Sequence, residues 1–326
     1  MTSAPKIEIG SRPTGFQGTV GSYFVPVNES RLGYICALSA HGMWGILPLY
    51  WHMLSQVSSW ELVGHRIVWS FVILACGVPA LARRGQLGGW QALTSALVTP
   101  RYWLIYSLAG LMITINWLAF IYAATHQRIL DASLGYYINP LLNVLIGVMV
   151  LRERLSWQQW LAVSLAACGV AVMTWGSGGL PWPAVAMATS FAVYSFIKKQ
   201  APLPALVGML LEMIAVVIPT LGMLALLWRN DLVHFGTSWS VSALMVCGGV
   251  VTVVPLVLFA TAARRIALST NGVLQYVGPT LQLLVAVLIT GEPFAQYRLV
   301  GFGFVWAGIF IFLLRLKRDL RVVNHS

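Results

Sequence analysis

The feature that most constrains this chain is a succession of apolar runs about 20 residues long, the length an α-helix needs to cross a hydrocarbon core roughly 30 Å thick. They recur near 34–53, 62–82, 102–124, 129–151, 157–175, 181–197, 203–228, 239–262, 266–290 and 297–314. In lipid each spanning segment must satisfy its own backbone groups unless strands close into a barrel, and these runs lack the period-2 alternation of barrel strands. The pattern predicts an all-α integral membrane protein with ten transmembrane helices. Composition agrees: 58% of the 326 residues are hydrophobic and 9% charged, against about 25% charged in soluble domains, and the mean hydropathy is +0.79.

Residues 1–33 are polar, with scattered Gly, Pro and Ser, and are expected to form a disordered cytoplasmic tail. No basic stretch leads directly into a short apolar core with a cleavage site, so 34–53 reads as a retained span. The net charge of +11 could suggest a nucleic-acid partner, but its placement gives a simpler account. With the N-terminus inside, sixteen Lys and Arg fall in inside segments and three (Arg128, Arg229 and Arg298) outside, the twentieth being Arg66. By the positive-inside rule both termini are then cytoplasmic, residues 316–326 forming a basic tail, and no nucleic-acid partner is needed. Cys36, Cys76, Cys168 and Cys247 lie in apolar spans without Cys-x-x-Cys pairing, so free, packed thiols are expected, with no metal and no cofactor.

Sliding the chain along itself by 139 residues places Phe120 on Phe259, Tyr137 on Tyr276, Pro140 on Pro279, Glu153 on Glu292 and Gly169 on Gly308. "SAHGMWG" (39–45) and "TSFAVYS" (189–195) correspond more loosely. Two five-helix repeats result, 34–175 and 181–315. Five is odd, so the second is inverted in the membrane, the symmetry of carriers that expose one central site alternately to each side. A duplication kept for packing alone is the plainer alternative.

Pro140 and Pro279 lie near the centres of equivalent spans, "DASLGYYINPLLN" and "STNGVLQYVGPTLQ". Each removes a backbone donor and is expected to break its helix, freeing carbonyls that only protein or a wet cavity can satisfy. Tyr136, Asn139, Gln275 and Tyr276 are therefore the leading substrate-binding candidates, ahead of Asn143 and Gln282. Asn116, beside Trp117, is a lone amide of the same kind. Each amide could instead simply bond a neighbouring helix. Trp44 and Tyr194 are repeat partners, read either as gate aromatics or as lipid-facing packers.

Arg66, with His65, is the charge that most needs explaining. Ser58 and Glu61 have capping-box spacing, which starts the second helix just before Trp60 and puts Arg66 about 10 Å along it. There it either lines a cavity or snorkels to the outer interface. His65 reads as a gating group or as a neutral helix contact. Glu212, an acidic residue well inside a span, is a coupling candidate or the partner of a nearby cation. One expectation pairs Arg66 with Glu212 as a latch across the cavity. Glu153 and Glu292 read as local caps. The fifth and tenth spans carry few polar residues, which suggests outer scaffolds and a homodimer contact.

Catalysis finds little footing. There is no His-Glu-x-x-His helix, no Gly-x-Ser-x-Gly elbow and no phosphate loop. His126 and Asp131 have a His-x4-Asp spacing seen in some acyltransferases, but no second carboxylate or basic clamp accompanies them. A helical receptor would need an output module that neither tail is long enough to supply.

The stretches "ELVGHRIVWS", "NWLAFIYAATHQRILDASLGYYINPLLNVLIGVMVLRERL", "SFAVYSFIKK" and "VPLVLFATAARRIALSTNGVLQYVGPTLQLLVAVLITGEPF" resemble the RarD-type proteins of the EamA family, in the drug/metabolite transporter superfamily. The resemblance covers about residues 34–315. It implies a ten-helix carrier of the bacterial inner membrane, built from two inverted repeats and associated by name with chloramphenicol sensitivity or resistance. The expected function is secondary transport of small metabolites or drug-like solutes by alternating access, around a cavity lined by spans one to four and six to nine. An uncoupled facilitator is the alternative.

Overall fold

The computed structural model describes residues 27–125, 129–180, 182–289 and 295–324. The described residues form helices and connecting turns: α1 (Val27–His52), α2 (Ser59–Arg83), α3 (Gly89–Val98), α4 (Pro100–Thr125), α5 (Ile129–Met149), α6 (Trp157–Gly176), α7 (Trp182–Gln200), α8 (Ala205–Arg229), α9 (Trp239–Arg265), α10 (Leu268–Leu274), α11 (Val277–Leu288) and α12 (Gln296–Asn324). Six of them, α1, α2, α4, α6, α8 and α9, are long and apolar enough to cross a membrane by length and composition. Leu104, Ile218, Trp228 and Leu288 are among the large apolar side chains left on the outside, as a lipid-facing surface requires.

Three boundaries differ from expectation. The helix that contains 34–53 already includes Val27, and its first described turn is anchored by Glu29, whose carboxylate accepts from Arg265 Nε at 2.7 Å. The basic C-terminal stretch continues α12 as far as Asn324. The run 266–290, expected as one span, is two helices.

The two prolines behave differently. Pro279 is the third residue of α11 and brings no N–H to the Gln275 carbonyl one turn earlier. The Gly278 N–H takes that carbonyl instead, at 3.1 Å in a tighter i→i+3 turn, and the chain breaks at Gln275 and Tyr276. Pro140, by contrast, lies within a continuous α5, so the expected break there is absent. Its neighbours hold it: α10 packs on α5, and Gly272 makes the approach, since a Cβ there would lie 2.8 Å from the Pro140 carbonyl oxygen.

Around these elements α1 packs on α9 and α11, α7 on α4 and α5, α2 on α8 and α9, α8 on α4, and α6 on α12. Between helices already in lipid the gain comes from close van der Waals packing rather than water release, which favours small residues at the crossings. The α6–α12 crossing runs on Gly169, Gly301, Gly308 and Ala162. At the α2–α9 crossing a Cβ on Gly249 would lie 2.7 Å from the Trp69 backbone. That approach brings Arg66 of α2 against Thr252 of α9.

Helix ends follow local chemistry. Ser156 and Gln159 form a full capping box on α6. The box predicted at α2 is half made: Ser58 Oγ accepts from the Glu61 N–H at 3.2 Å, but the Glu61 carboxylate is drawn away to the turn before α9, where it accepts from the backbone N–H of His234 (2.7 Å) and Phe235 (2.9 Å). Glu153 caps at a distance rather than locally, accepting from Leu268 N (2.7 Å) and Ser269 N (2.9 Å) at the start of α10. Glu292 and His126 lie outside the described residues, as does the Asp131 side chain. Cys36 is buried, but Cys76, Cys168 and Cys247 face outward, so these three free thiols are not packed as expected.

Candidate functional site

A cavity of about 170 Å³ lies among α1, α2, α4, α5, α7, α9 and the α10–α11 break. No residue of α8 lines it, contrary to expectation, because α8 packs its buried face on α2 and α4. Of the sequence candidates, Trp44, Arg66, Asn116, Tyr136, Asn139, Gln275 and Pro279 face it together; Gln282, ranked lower, does so as well. Trp44 is therefore a cavity aromatic rather than a lipid-facing packer. Its ring meets Phe191 at 5.8 Å and His41 at 5.4 Å between centroids.

Arg66 turns inward and is held on three sides. Thr252 commits its hydroxyl proton to the Gly248 carbonyl (2.7 Å), so its oxygen accepts from Arg66 Nε at 3.0 Å. The guanidinium carbon lies 4.8 Å from the Trp51 ring centroid and 4.6 Å from that of Trp117, so two indoles contact the cation. Each such contact contributes about 0.5–2 kcal/mol, the upper end where water is excluded. Among the described residues no carboxylate pairs with Arg66. The charge is thus positioned by rings and one hydroxyl, with its counter-charge left open.

The amides form a frame on the opposite side. Asn116 Nδ2 donates to the Met187 carbonyl (2.8 Å) and Asn139 Nδ2 to that of Ala188 (3.0 Å), tying α4 and α5 to adjacent carbonyls of α7. Asn143 Nδ2 lies 3.1 Å from Asn139 Oδ1 and 2.7 Å from Gln275 Oε1, carrying the frame across to the helix break. Gln282 Nε2 donates to the Trp44 carbonyl (3.2 Å), closing α11 onto α1.

The remaining candidates lie elsewhere. Tyr276 turns from the cavity at the break, and its hydroxyl donates to the Tyr137 carbonyl at 3.2 Å. His65 faces the turn before α9: its Nδ1 accepts from Trp69 Nε1 (3.2 Å), and its ring stacks on Phe235 at 4.5 Å. Tyr194 and Glu212 belong to a separate buried cluster. Glu212 pairs with Lys198 at 2.6 Å and accepts from the Tyr194 hydroxyl at 3.4 Å. The expected Arg66–Glu212 latch is absent, each group being engaged by other partners. Lys198 had counted only as an inside cation, while His41, Trp51 and Thr252 went unnoticed; the one signal for Lys198 was its i+4 spacing from Tyr194 on α7. Among the described residues no group of three or more His, Cys, Asp or Glu could hold a metal ion.

This geometry offers one fixed cation, aromatic walls and a frame of amides, with no nucleophile–base pair. The EamA-like transporter family model matches residues 31–175. An uncharacterized transporter of Vibrio cholerae is 42% identical over 87% of this chain and 92% of its own length. The protein RarD of Escherichia coli is 37% identical over 88% of this chain and 95% of its own. The chain belongs to the EamA family and is of RarD type. As a RarD-type EamA protein it is a membrane protein with several spans. A solved crystal structure superposes with a TM-score of 0.61, covering 89% of this chain and 98% of the other at 19% identity, which shows a shared fold.

Proposed function

We propose that this RarD-type protein is a secondary transporter of small solutes in the bacterial inner membrane, working by alternating access around the cavity and not an enzyme. In this reading ten spans form two inverted repeats, α1, α2, α4, α5 and α6 against α7, α8, α9, α10–α11 and α12, with both termini cytoplasmic. The observation that carries it is a cavity lined by side chains from both sets of helices, with no catalytic pair in it.

Exchange of contacts between the halves supports the repeat. α1 packs on α9 and α11 as α7 packs on α4 and α5, and α2 meets α9 as α8 meets α4. Where a Cβ on Gly169 would strike the Gly301 carbonyl, one on Gly308 would strike that of Ala162, and both pairs are related by the same shift of 139 residues. The names of the relatives, transporter and RarD, favour transport over catalysis.

A facilitator or exchanger without ion coupling is the second reading, favoured by one observation. Glu212, the coupling candidate, is held by Lys198 away from the cavity, and among the described residues no Asp or Glu lines the cavity to carry a proton. Solute uptake into proteoliposomes tests both. Accumulation against a gradient that stops when the proton gradient is collapsed supports coupling; flux that only equilibrates supports the facilitator. No protein-dependent flux across a broad solute panel would overturn the transport reading.

A further inference from the structure

Among the described residues the buried Glu61, Lys198 and Glu212 are all paired. Glu61 is met by His234 (3.1 Å) and two backbone N–H groups, and Lys198 by Glu212 (2.6 Å). A charge removed from water without a partner is costly enough that proteins rarely leave one so. Arg66, only partly buried where it lines the cavity, has no counter-charge among the described residues: Nε is bonded to Thr252, the Trp51 and Trp117 rings lie 4.8 and 4.6 Å from the guanidinium carbon, and neither Nη makes a hydrogen bond to protein. What remains free is the planar fork that matches a carboxylate bidentately.

A second observation points the same way. His41 is 1% exposed, lines the same cavity, and its Nε2 has no hydrogen-bond partner. Among the described residues no Asp or Glu lines the cavity to receive a cation, and Arg66 is the one Lys or Arg that does. One fixed positive charge suits a monoanion rather than a doubly charged phosphate. Around it the walls are flat and aromatic: Trp44, Trp51, Trp117 and Tyr136. The space, about 170 Å³, compares with the roughly 150 Å³ of an engineered cavity that takes up benzene.

We propose that the cavity binds a small organic carboxylate with a flat, ring-sized apolar body, its carboxylate seated on the free fork of Arg66. The inference deepens the transporter reading and rests on it for biological meaning, though binding can be tested without flux. A neutral solute of the same shape would leave the guanidinium without a counter-charge, and an amine would be repelled.

Isothermal titration of the purified full chain in detergent, with benzoate and phenylacetate against benzamide, phenylacetamide and benzylamine, is the test. The carboxylates are expected to bind about tenfold to a hundredfold tighter than their amides, the range that charge-assisted hydrogen bonds supply. Arg66→Gln should erase that preference, and Arg66→Lys should keep part of it. The wild-type comparison needs no variant, so it stands even if Arg66→Gln does not fold. Equal or better binding of amides or benzylamine, a preference that survives Arg66→Gln, or no binding of either carboxylate at millimolar concentration overturns the proposal. Carboxylate-selective binding without flux in proteoliposomes would instead sink the transporter reading alone, and flux indifferent to solute charge would sink this one alone.

Discussion

Replacing Glu212 exposes how much of the bundle's stability depends on one buried pair. Lys198 Nζ lies 2.6 Å from Glu212 Oε1, with the two side chains 2% and 0% exposed. Removing one member of such a pair typically costs about 3–5 kcal/mol, because the other charge stays buried. Glu212→Leu should reach that range, since the ammonium keeps only the Tyr106 and Tyr194 rings, each 5.7 Å away. Glu212→Gln should cost less, as its amide oxygen can still accept one hydrogen bond from Nζ. The double variant Lys198→Met with Glu212→Leu should recover to within about 1–2 kcal/mol of wild type, because replacing a buried pair by well-packed apolar groups is often close to neutral. Unfolding in mixed micelles, followed by circular dichroism for Lys198→Met, Glu212→Leu and the double, gives the cycle. Single variants that each cost less than about 1 kcal/mol, the worth of an exposed pair, would refute the argument that this pair is buried and structural.

Three further outcomes follow from the geometry. Trp117→Leu removes an indole 4.6 Å from the Arg66 guanidinium that also lines the cavity, and should weaken benzoate binding by about 1–2 kcal/mol and benzamide binding by less, read by the same titration. Glu153→Gln exchanges a charged acceptor at the start of α10 for a neutral one and should lower stability by about 0.5–2 kcal/mol, seen as faster hydrogen exchange at Leu268 and Ser269. Gly308→Leu forces a side chain against the Ala162 carbonyl and should part α6 from α12, read as loss of folded protein on gel filtration, whereas a change at Gly303, where a Cβ meets nothing within 4 Å, should be tolerated.

Apolar length made the helical, membrane-spanning class readable, because nothing else accounts for repeated uncharged runs of span length. Arg66 stood out for a related reason: a lone charge in such a run must have a use or a partner. Its two indole contacts were not readable, since fourteen tryptophans in one sequence give no sign of which two will meet a guanidinium. The pairing of Lys198 with Glu212 was not readable because the apolar run ends at 197 while α7 continues to Gln200, carrying the lysine one turn past Tyr194 and into a buried position. Tyr276 and Gln282 exchanged roles through the break beside Pro279. The tightened turn swings Tyr276 toward Tyr137, while Gln282, within α11, reaches α1. Spacing alone treated the two prolines as equivalent; only the neighbours of Pro140 reveal why α5 stays whole.

The central claim is that one cavity between the two sets of helices opens in turn to each side of the membrane. Its most direct test needs no substrate. In a chain with Cys36, Cys76, Cys168 and Cys247 replaced by Ala, a single cysteine at Asn116, which lines the cavity, is challenged with a membrane-impermeant maleimide in right-side-out and inside-out vesicles. The account predicts labelling from both sides; labelling confined to one side under every condition would contradict it.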